Sequence, residues 1–531
     1  MVADGVDHVA HRHFPDRLIH GAGGALQGSQ LADGQLAAGA RGKAARIFAG
    51  EAHAAQRVID FGVLDRRYAA GQHHRQSHGT NDYPHRFTLP PSKTDGPLIK
   101  LFRTMEMPSL PPANHFRPLH LRLMMGALRS AWSAGVLQPV DLSPERLRAM
   151  AEKDTGLTAD LSDRALFEDK LAVLLPSLHE EARLTDFGRL VSHGSLLKLM
   201  KDRLRFEAIM AEHPEIDRIE LAPPVIIVGS MRSGTTRMQR LLAADPGFEA
   251  LRLYESQSPV PSPDVMRAKA AGRRDPRIAQ AGRILKLLVS INPAILQVHP
   301  TGPMEVDEEL GLLDQSLSSA MIEVQKRIPS FARHAEMTDD TPAYRRLHRL
   351  LKLRTWFEGS DPTHPYVLKT PQHMQDIAAL NAVFPQSPLI FLHRDPVQLV
   401  ASGASLAWNQ MVIQSDDVDP HWIGREWLHK TRHRLETVSA VRQQIPARRQ
   451  FDLSFTEVGA DWRGAITRTY DFLGRELTPA VLNAMQAYMD RAAREHRHAQ
   501  HRYRLEQFGL EAGDVRDELS RWTVDAEPLA A

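Results

Sequence analysis

Between His115 and Ile219 apolar residues recur at helical spacing. Leu121, Met124, Met125 and Leu128 share one face, as do Phe167, Leu171, Leu174 and Leu175, with Pro176 expected to end or kink that second helix. Leu196, Leu197, Leu199 and Leu204 continue the pattern. Ser143-Pro144-Glu145-Arg146 carries a cap, a first-turn proline and an acidic residue, so it predicts a helix start. After Pro223-Pro224 the pattern changes. A fully apolar run, Val225 to Val228, meets a polar turn, Gly229 to Thr236, and then a helical pattern with Met238, Leu241 and Leu242. Buried strand, tight loop and helix is the expected order. Residues 251–266 are expected to be a loop and 343–357 a helix. Further strands are predicted at Tyr366 to Leu368, Leu389 to Leu392 and Phe451 to Phe455, and a helix at Thr467 to Leu473 capped by Gly474. Strands separated by helices predict a parallel sheet. The fold class is therefore α/β: a P-loop-like parallel sheet flanked by helices, with a helical N-terminal lead-in.

Three segments follow from this pattern: 1–104, 115–220 as the helical lead-in, and 221–515 as the α/β domain. Residues 1–104 hold nine of the 26 histidines and show no sustained periodicity. A histidine-rich metal segment is one reading, but the scattered positions lack ligand spacing. The preferred readings are a disordered extension or an over-extended reading frame, with Met105 or Met107 as the start. The net charge of +2 predicts no nucleic-acid partner. The absence of cysteine excludes disulfides, thiolate metal sites and a cysteine nucleophile. No apolar run approaches the roughly 20 residues of a membrane span, and no signal-peptide core is present, so a cytoplasmic protein is expected. The sequence does not specify an oligomeric state.

The turn after the first strand carries candidate chemistry. Gly229 and Gly234 are spaced as in a P-loop, but Thr235-Thr236 stand where a nucleotide triphosphatase has Lys followed by Ser or Thr. The glycines let backbone N–H groups surround an anion, and the helix N-terminus adds partial positive charge. Arg232 and Arg237 supply forked donors for phosphate or sulfate oxygens. The missing lysine argues against ATP or GTP with magnesium. A second candidate is Arg394, at a strand-to-helix junction, with Ser402 eight residues on. Arg394 either forks onto a phosphate or pairs with a carboxylate such as Asp395.

GSMRSGTT, the Arg394-Asp395-Pro396…Ser402 stretch and Phe472-Leu473-Gly474 after the strand FDLSF stand in this order. Together they resemble the sulfotransferases that use 3′-phosphoadenosine 5′-phosphosulfate (PAPS). The closest likeness is to the bacterial branch with an RSGTT loop, over about residues 120–510. The resemblance implies that Arg232, Ser233, Gly234, Thr235, Thr236 and Arg237 hold the 5′-phosphosulfate, and Arg394 and Ser402 the 3′-phosphate. It implies no metal, and transfer to a hydroxyl of a carbohydrate, lipid, phenol or small alcohol. Glu255, in LYES, resembles the family's glutamate base, with His299, Glu305, Asp307, Glu308 and Glu309 as other candidates. Lys369, in LKTP, resembles a lysine beside the transferring group; otherwise it is a surface lysine. His373 is expected on a helix surface. Phe455 stands where relatives have tyrosine and is read as a buried structural ring. The basic run Arg491 to Arg504 either covers the nucleotide, as in the family, or is a solvated helix. Alternative functions are a P-loop kinase or nucleotide triphosphatase, and a non-catalytic nucleotide-binding protein.

Overall fold

The computed structural model describes residues 110, 118–159, 161–495 and 503–522. The reading of 1–104 lies outside the described residues. The lead-in consists of α1 (Leu119–Ser133), α2 (Pro144–Thr155), α3 (Arg164–Glu180) and α4 (Asp186–Glu212). Pro144 opens α2 at its first position, and Gly156 closes it in the left-handed region, φ 68°. Pro176 does not end α3, which runs on to Glu180. Proline deletes one helical hydrogen bond. Leu171, Leu174 and Leu178, all buried in one cluster with Leu147, Phe167, Leu196, Leu197, Leu199 and Leu204, hold the helix on both sides of it. Each such side chain contributes about 1.5–3 kcal/mol on full burial.

The core sheet has four parallel strands. They are β1 (Val225–Val228), β2 (Val367–Lys369), β3 (Leu389–His393) and β4 (Gln450–Ser454), in the order β2-β1-β3-β4. Alternation along these short apolar strands builds two cores. Ile226, Val228, Leu368, Leu389 and Phe391 pack on one face against α8 (Thr341–Glu358) through Tyr344, Leu347, Leu350 and Leu351. Val225, Ile227, Val367, Ile390, Leu392 and Leu453 pack on the other face. Their partners are Met238, Leu241 and Leu242 of α5 (Thr235–Leu242) and Ile466 and Tyr470 of α13 (Trp462–Leu473).

Several boundaries differ from the sequence reading. The expected loop 251–266 contains α6 (Leu253–Gln257) and the start of α7 (Pro263–Ala270). Glu255 closes the first turn of α6 by accepting from the Arg252 N–H, and Ser262 caps α7 in front of Pro263. The fourth strand stops at Ser454. There the Ser454 hydroxyl accepts from the Glu457 N–H and Glu457 reaches back to the Ser454 N–H, so Phe455 opens α12 (Phe455–Ala460). Between β2 and β3 lies α9 (Gln372–Gln375); after β3 come α10 (Pro396–Gln414) and α11 (Pro420–Arg442). No described helix is long and apolar enough to cross a membrane.

The chain leaves β1 toward β2 on one side and returns across to β3 on the other. The carboxyl ends of β1 and β3 therefore flank a switch in strand order, where ligands of open α/β sheets bind.

Candidate active site

The loop from Gly229 to Gly234 leaves the carboxyl end of β1 and enters α5. It is folded tightly. A Cβ on Gly229 would lie 2.8 Å from Ser233 Oγ, 2.9 Å from Thr235 Cγ2 and 3.0 Å from the Leu392 carbonyl oxygen. Gly234 has φ 86°, and Arg232, which carries a Cβ, has φ 71°. A left-handed non-glycine residue costs on the order of 1–3 kcal/mol and marks functional loops. The Ser233 hydroxyl and N–H both donate to the Ser230 carbonyl, at 2.7 and 3.2 Å, so its side chain braces the loop. Thr235 is buried at the first position of α5. The N–H groups of that first turn have no partner within the helix.

Arg394 follows β3 directly. Asp395 does not pair with it: the Asp395 side chain caps α10 by accepting from the Gln398 N–H at 3.0 Å. Arg394 instead donates through Nε to Gln398 Oε1 at 2.9 Å and through Nη1 to the Arg232 carbonyl. Its guanidinium lies 4.1 Å from the centre of the Phe455 ring. That ring is half-buried rather than buried, and it also sits beside Gly234. From two turns into α10, the buried Ser402 hydroxyl accepts from Arg232 Nε at 3.2 Å. Arg232, Arg394 and Ser402 are thus brought together beside the loop. Burial, and next the charge of Arg232, lower the Arg394 pKa against the influence of the nearby Tyr503 hydroxyl. Arg232 and Arg394, joined through the Arg232 carbonyl, are cationic donors of the kind that suit an anion with several oxygens.

Lys369 ends β2, the other neighbour of β1. It is not a surface lysine: 1 % of it is exposed. Its Nζ donates to Thr236 Oγ1 at 3.1 Å and pairs with the Glu308 carboxylate. Asp307 is held well below the usual carboxylate range. Burial alone would raise it, but the charge and hydrogen bond of His299, Lys369 and the Thr301 hydroxyl override that. Glu309 Oε2 accepts from the Lys369 N–H at 3.0 Å. His373, expected on a helix surface, is 0 % exposed and lies 2.6 Å from Glu309. The short α9 points it into the core rather than outward.

Glu255 is not joined to this group. Its Oε2 accepts from the Arg252 N–H at 2.7 Å and its Oε1 from Arg354 Nε at 3.1 Å. Arg237 makes no hydrogen bond or ion pair among the described residues and lies near Tyr488 of the helix Pro479–Glu495. Of the basic run, Arg491 lies 3.7 Å from Glu305, Tyr503 lies near Arg394, and residues 496–502 are outside the described residues. Sequence reasoning missed Gln398, the seating of Arg394 over the Phe455 ring, and the particular pairing of Glu308 with Lys369. Gln398 lies in the first turn of the helix that Asp395 caps, within local reach of Arg394; the other two are contacts between distant segments and carry no local signal.

The sequence model of the sulfotransferase family matches residues 223–479, a span from β1 through α13. Among solved structures the chain is similar to a sulfotransferase from Mycobacterium tuberculosis H37Rv, with 26% identity and a TM-score of 0.62 over 72% of this chain and 100% of that one. It is also similar to a sulfotransferase from Mycobacterium avium, with 23% identity and a TM-score of 0.62 over 73% of this chain and 97% of that one. No curated protein matches. The fold is that of these sulfotransferases, and the family match supports sulfuryl transfer in general.

Proposed function

We infer that this chain is a sulfotransferase that moves the sulfuryl group of PAPS to a hydroxyl of an acceptor and releases 3′-phosphoadenosine 5′-phosphate. The observation that carries this reading is the convergence of Arg232, Arg394 and Ser402 beside the Gly229–Gly234 loop. One phosphate cradle is common to many nucleotide sites. A second cluster of donors on the neighbouring strand end suits a nucleotide with a further phosphate on its ribose. The residues fit the donor: Gly229 leaves no room for a side chain inside the loop, and the anion-facing groups are cationic or N–H. Arg394 and Ser402 would hold the 3′-phosphate. Arg232, Gly234, Thr235, Thr236 and Arg237 would hold the 5′-phosphosulfate, with Ser233 bracing the loop.

The donor supplies an activated sulfuryl group. Sulfur bonds to the acceptor oxygen as its bond to the bridging phosphate oxygen breaks, and the acceptor proton must leave. Lys369, fixed by Thr236 at the end of β2, places a positive charge where the leaving oxygen gains negative charge. Glu308, beside Lys369 and with its side chain 12% exposed, is placed in this reading as the proton acceptor. Glu255, tied to Arg252 and Arg354, is read as holding α6 against α8.

A screen of labelled PAPS against carbohydrate, lipid, phenol and alcohol acceptors tests this reading. One acceptor class should become labelled. Glu308→Gln should then lower turnover about 10²-fold or more with nucleotide affinity kept. Glu255→Gln should lower the melting temperature instead of turnover per folded protein. Transfer of phosphate from ATP, with no sulfuryl transfer to any class, would overturn the assignment.

A further inference from the structure

Glu308 and Lys369 are doubled, one layer deeper, by a second acid–base pair. Glu309 follows Glu308 in sequence, and His373 follows Lys369 by one turn of chain. Glu309 Oε2 accepts from the Lys369 N–H at 3.0 Å, and its Oε1 lies 2.6 Å from His373 Nε2. His373 Nδ1 lies 2.9 Å from the Tyr344 hydroxyl on α8. All three side chains are at most 1 % exposed. Tyr344 is packed among Ile226, Leu347 and Leu368 under the sheet. Next to His373, Met374 Sδ accepts from the Ser230 hydroxyl of the anion loop at 3.3 Å.

We propose that Glu309, His373 and Tyr344 form a buried clamp that positions Lys369 and Glu308 for transfer. Capping the last N–H of β2 needs only a neutral acceptor. A carboxylate in the apolar core is far more costly and persists only with a partner. What that pair adds is a fixed register: the peptide linking residues 308 and 309 is tied to the end of β2 and to α9 together. The side chain of Glu308 can then meet Lys369 Nζ in one place. Misplacement of reacting groups by about 1 Å can cost on the order of 10²-fold in rate. The three are positioning residues, because none of them reaches the solvent-facing side of the site.

The proposal rests on the sulfotransferase reading, and its test separates the two. Binding sites for 3′-phosphoadenosine 5′-phosphate (PAP) are counted by calorimetry for the full chain. Turnover per site is measured as sulfate released from labelled PAPS with water as acceptor. His373→Phe should keep PAP affinity within about threefold, since Arg232, Arg394 and Ser402 are untouched, yet lose about tenfold or more in turnover per site. His373→Gln, which keeps a polar side chain facing Glu309, should recover part of that loss. Tyr344→Phe removes one hydroxyl and serves if His373→Phe does not fold; it should lower turnover per site about threefold or more. A merely structural role would reduce the number of sites and leave turnover per site unchanged in all three variants, and that result overturns the clamp. If the clamp variants lose turnover while Glu308→Gln does not, the clamp acts through Lys369 and Glu308 is rejected as the base. The reverse pattern keeps the base and rejects the clamp.

Discussion

Arg394 meets an amide oxygen, a backbone carbonyl and an aromatic face, and among the described residues none of its contacts is an ion pair. In the proposed reading this partly buried guanidinium receives an anion that arrives from outside. Arg394→Ala should therefore weaken 3′-phosphoadenosine 5′-phosphate binding by about 1.5–3 kcal/mol, roughly 10- to 150-fold, measured by calorimetry. Phe455→Ala removes the ring beneath it and should cost less, about 0.5–2 kcal/mol. Unchanged affinity in both variants would remove these residues from the site. At this scale the placement of Arg394 and Ser402 was legible, because a strand–turn–helix pattern fixes where a side chain at that junction stands; their role is what the two variants test. Glu308 was legible only as one acid among several. Which carboxylate of residues 299–309 meets Lys369 depends on a segment with no periodicity of its own, folded against the end of β2. Glu255 stands in the first turn of α6, where a carboxylate suits a cap as well as a base, and Glu255→Gln decides between the two.

The lead-in helices are tied to the sheet domain by a buried ionic knot. Asp163, in front of α3, receives Arg203 of α4 at 2.5 Å, Arg346 of α8 at 2.9 Å and the Ser316 hydroxyl at 2.7 Å. Burial alone would raise the Asp163 carboxyl, but the hydrogen bond and charge of Arg203, then those of Arg346, hold it at about 2. Burial and the facing Arg346 push Arg203 down to about 10. A carboxyl depressed in the folded state stabilises it above the unfolded pKa near 4 and loses that contribution as pH falls toward about 2. Denaturant melts at pH 6, 4 and 3 should show this decline in the wild type. In Asp163→Asn that part of the decline should be missing, and stability at pH 6 should already be lower by about 3 kcal/mol, because buried Arg203 loses its carboxylate partner while Arg346 keeps Glu207. A variant as stable as the wild type would show the knot to be dispensable. The helices it joins were legible from leucine spacing alone. Their arrangement was not, since Asp163, Arg203 and Arg346 are far apart in sequence and none breaks the apolar pattern. The 251–266 segment misled for the opposite reason: its prolines are a strong local signal that capping overrides, and at Pro176 packing carries the helix on, so of the two expected outcomes the ending does not occur.

Across the whole molecule, three neighbouring strand ends meet at one edge of the sheet: β1 with its glycine loop, β3 with Arg394, and β2 with Lys369. The order of these stretches in the sequence was enough to assign the fold, because parallel strands bring their carboxyl ends to one edge whatever lies between them. The same arrangement makes a claim about the donor. Lysine is absent from the loop position held by Thr235 and a lysine arrives instead from β2; in the proposed reading the Arg394–Ser402 cluster takes a phosphate that ATP does not carry. The most direct measurement is calorimetric binding of 3′-phosphoadenosine 5′-phosphate to the full chain beside ATP with magnesium. The 3′-phosphorylated nucleotide should bind at least about tenfold more tightly, a difference of about 1.4 kcal/mol, and lose that advantage in Arg394→Ala. Tighter binding of ATP with magnesium would contradict the account.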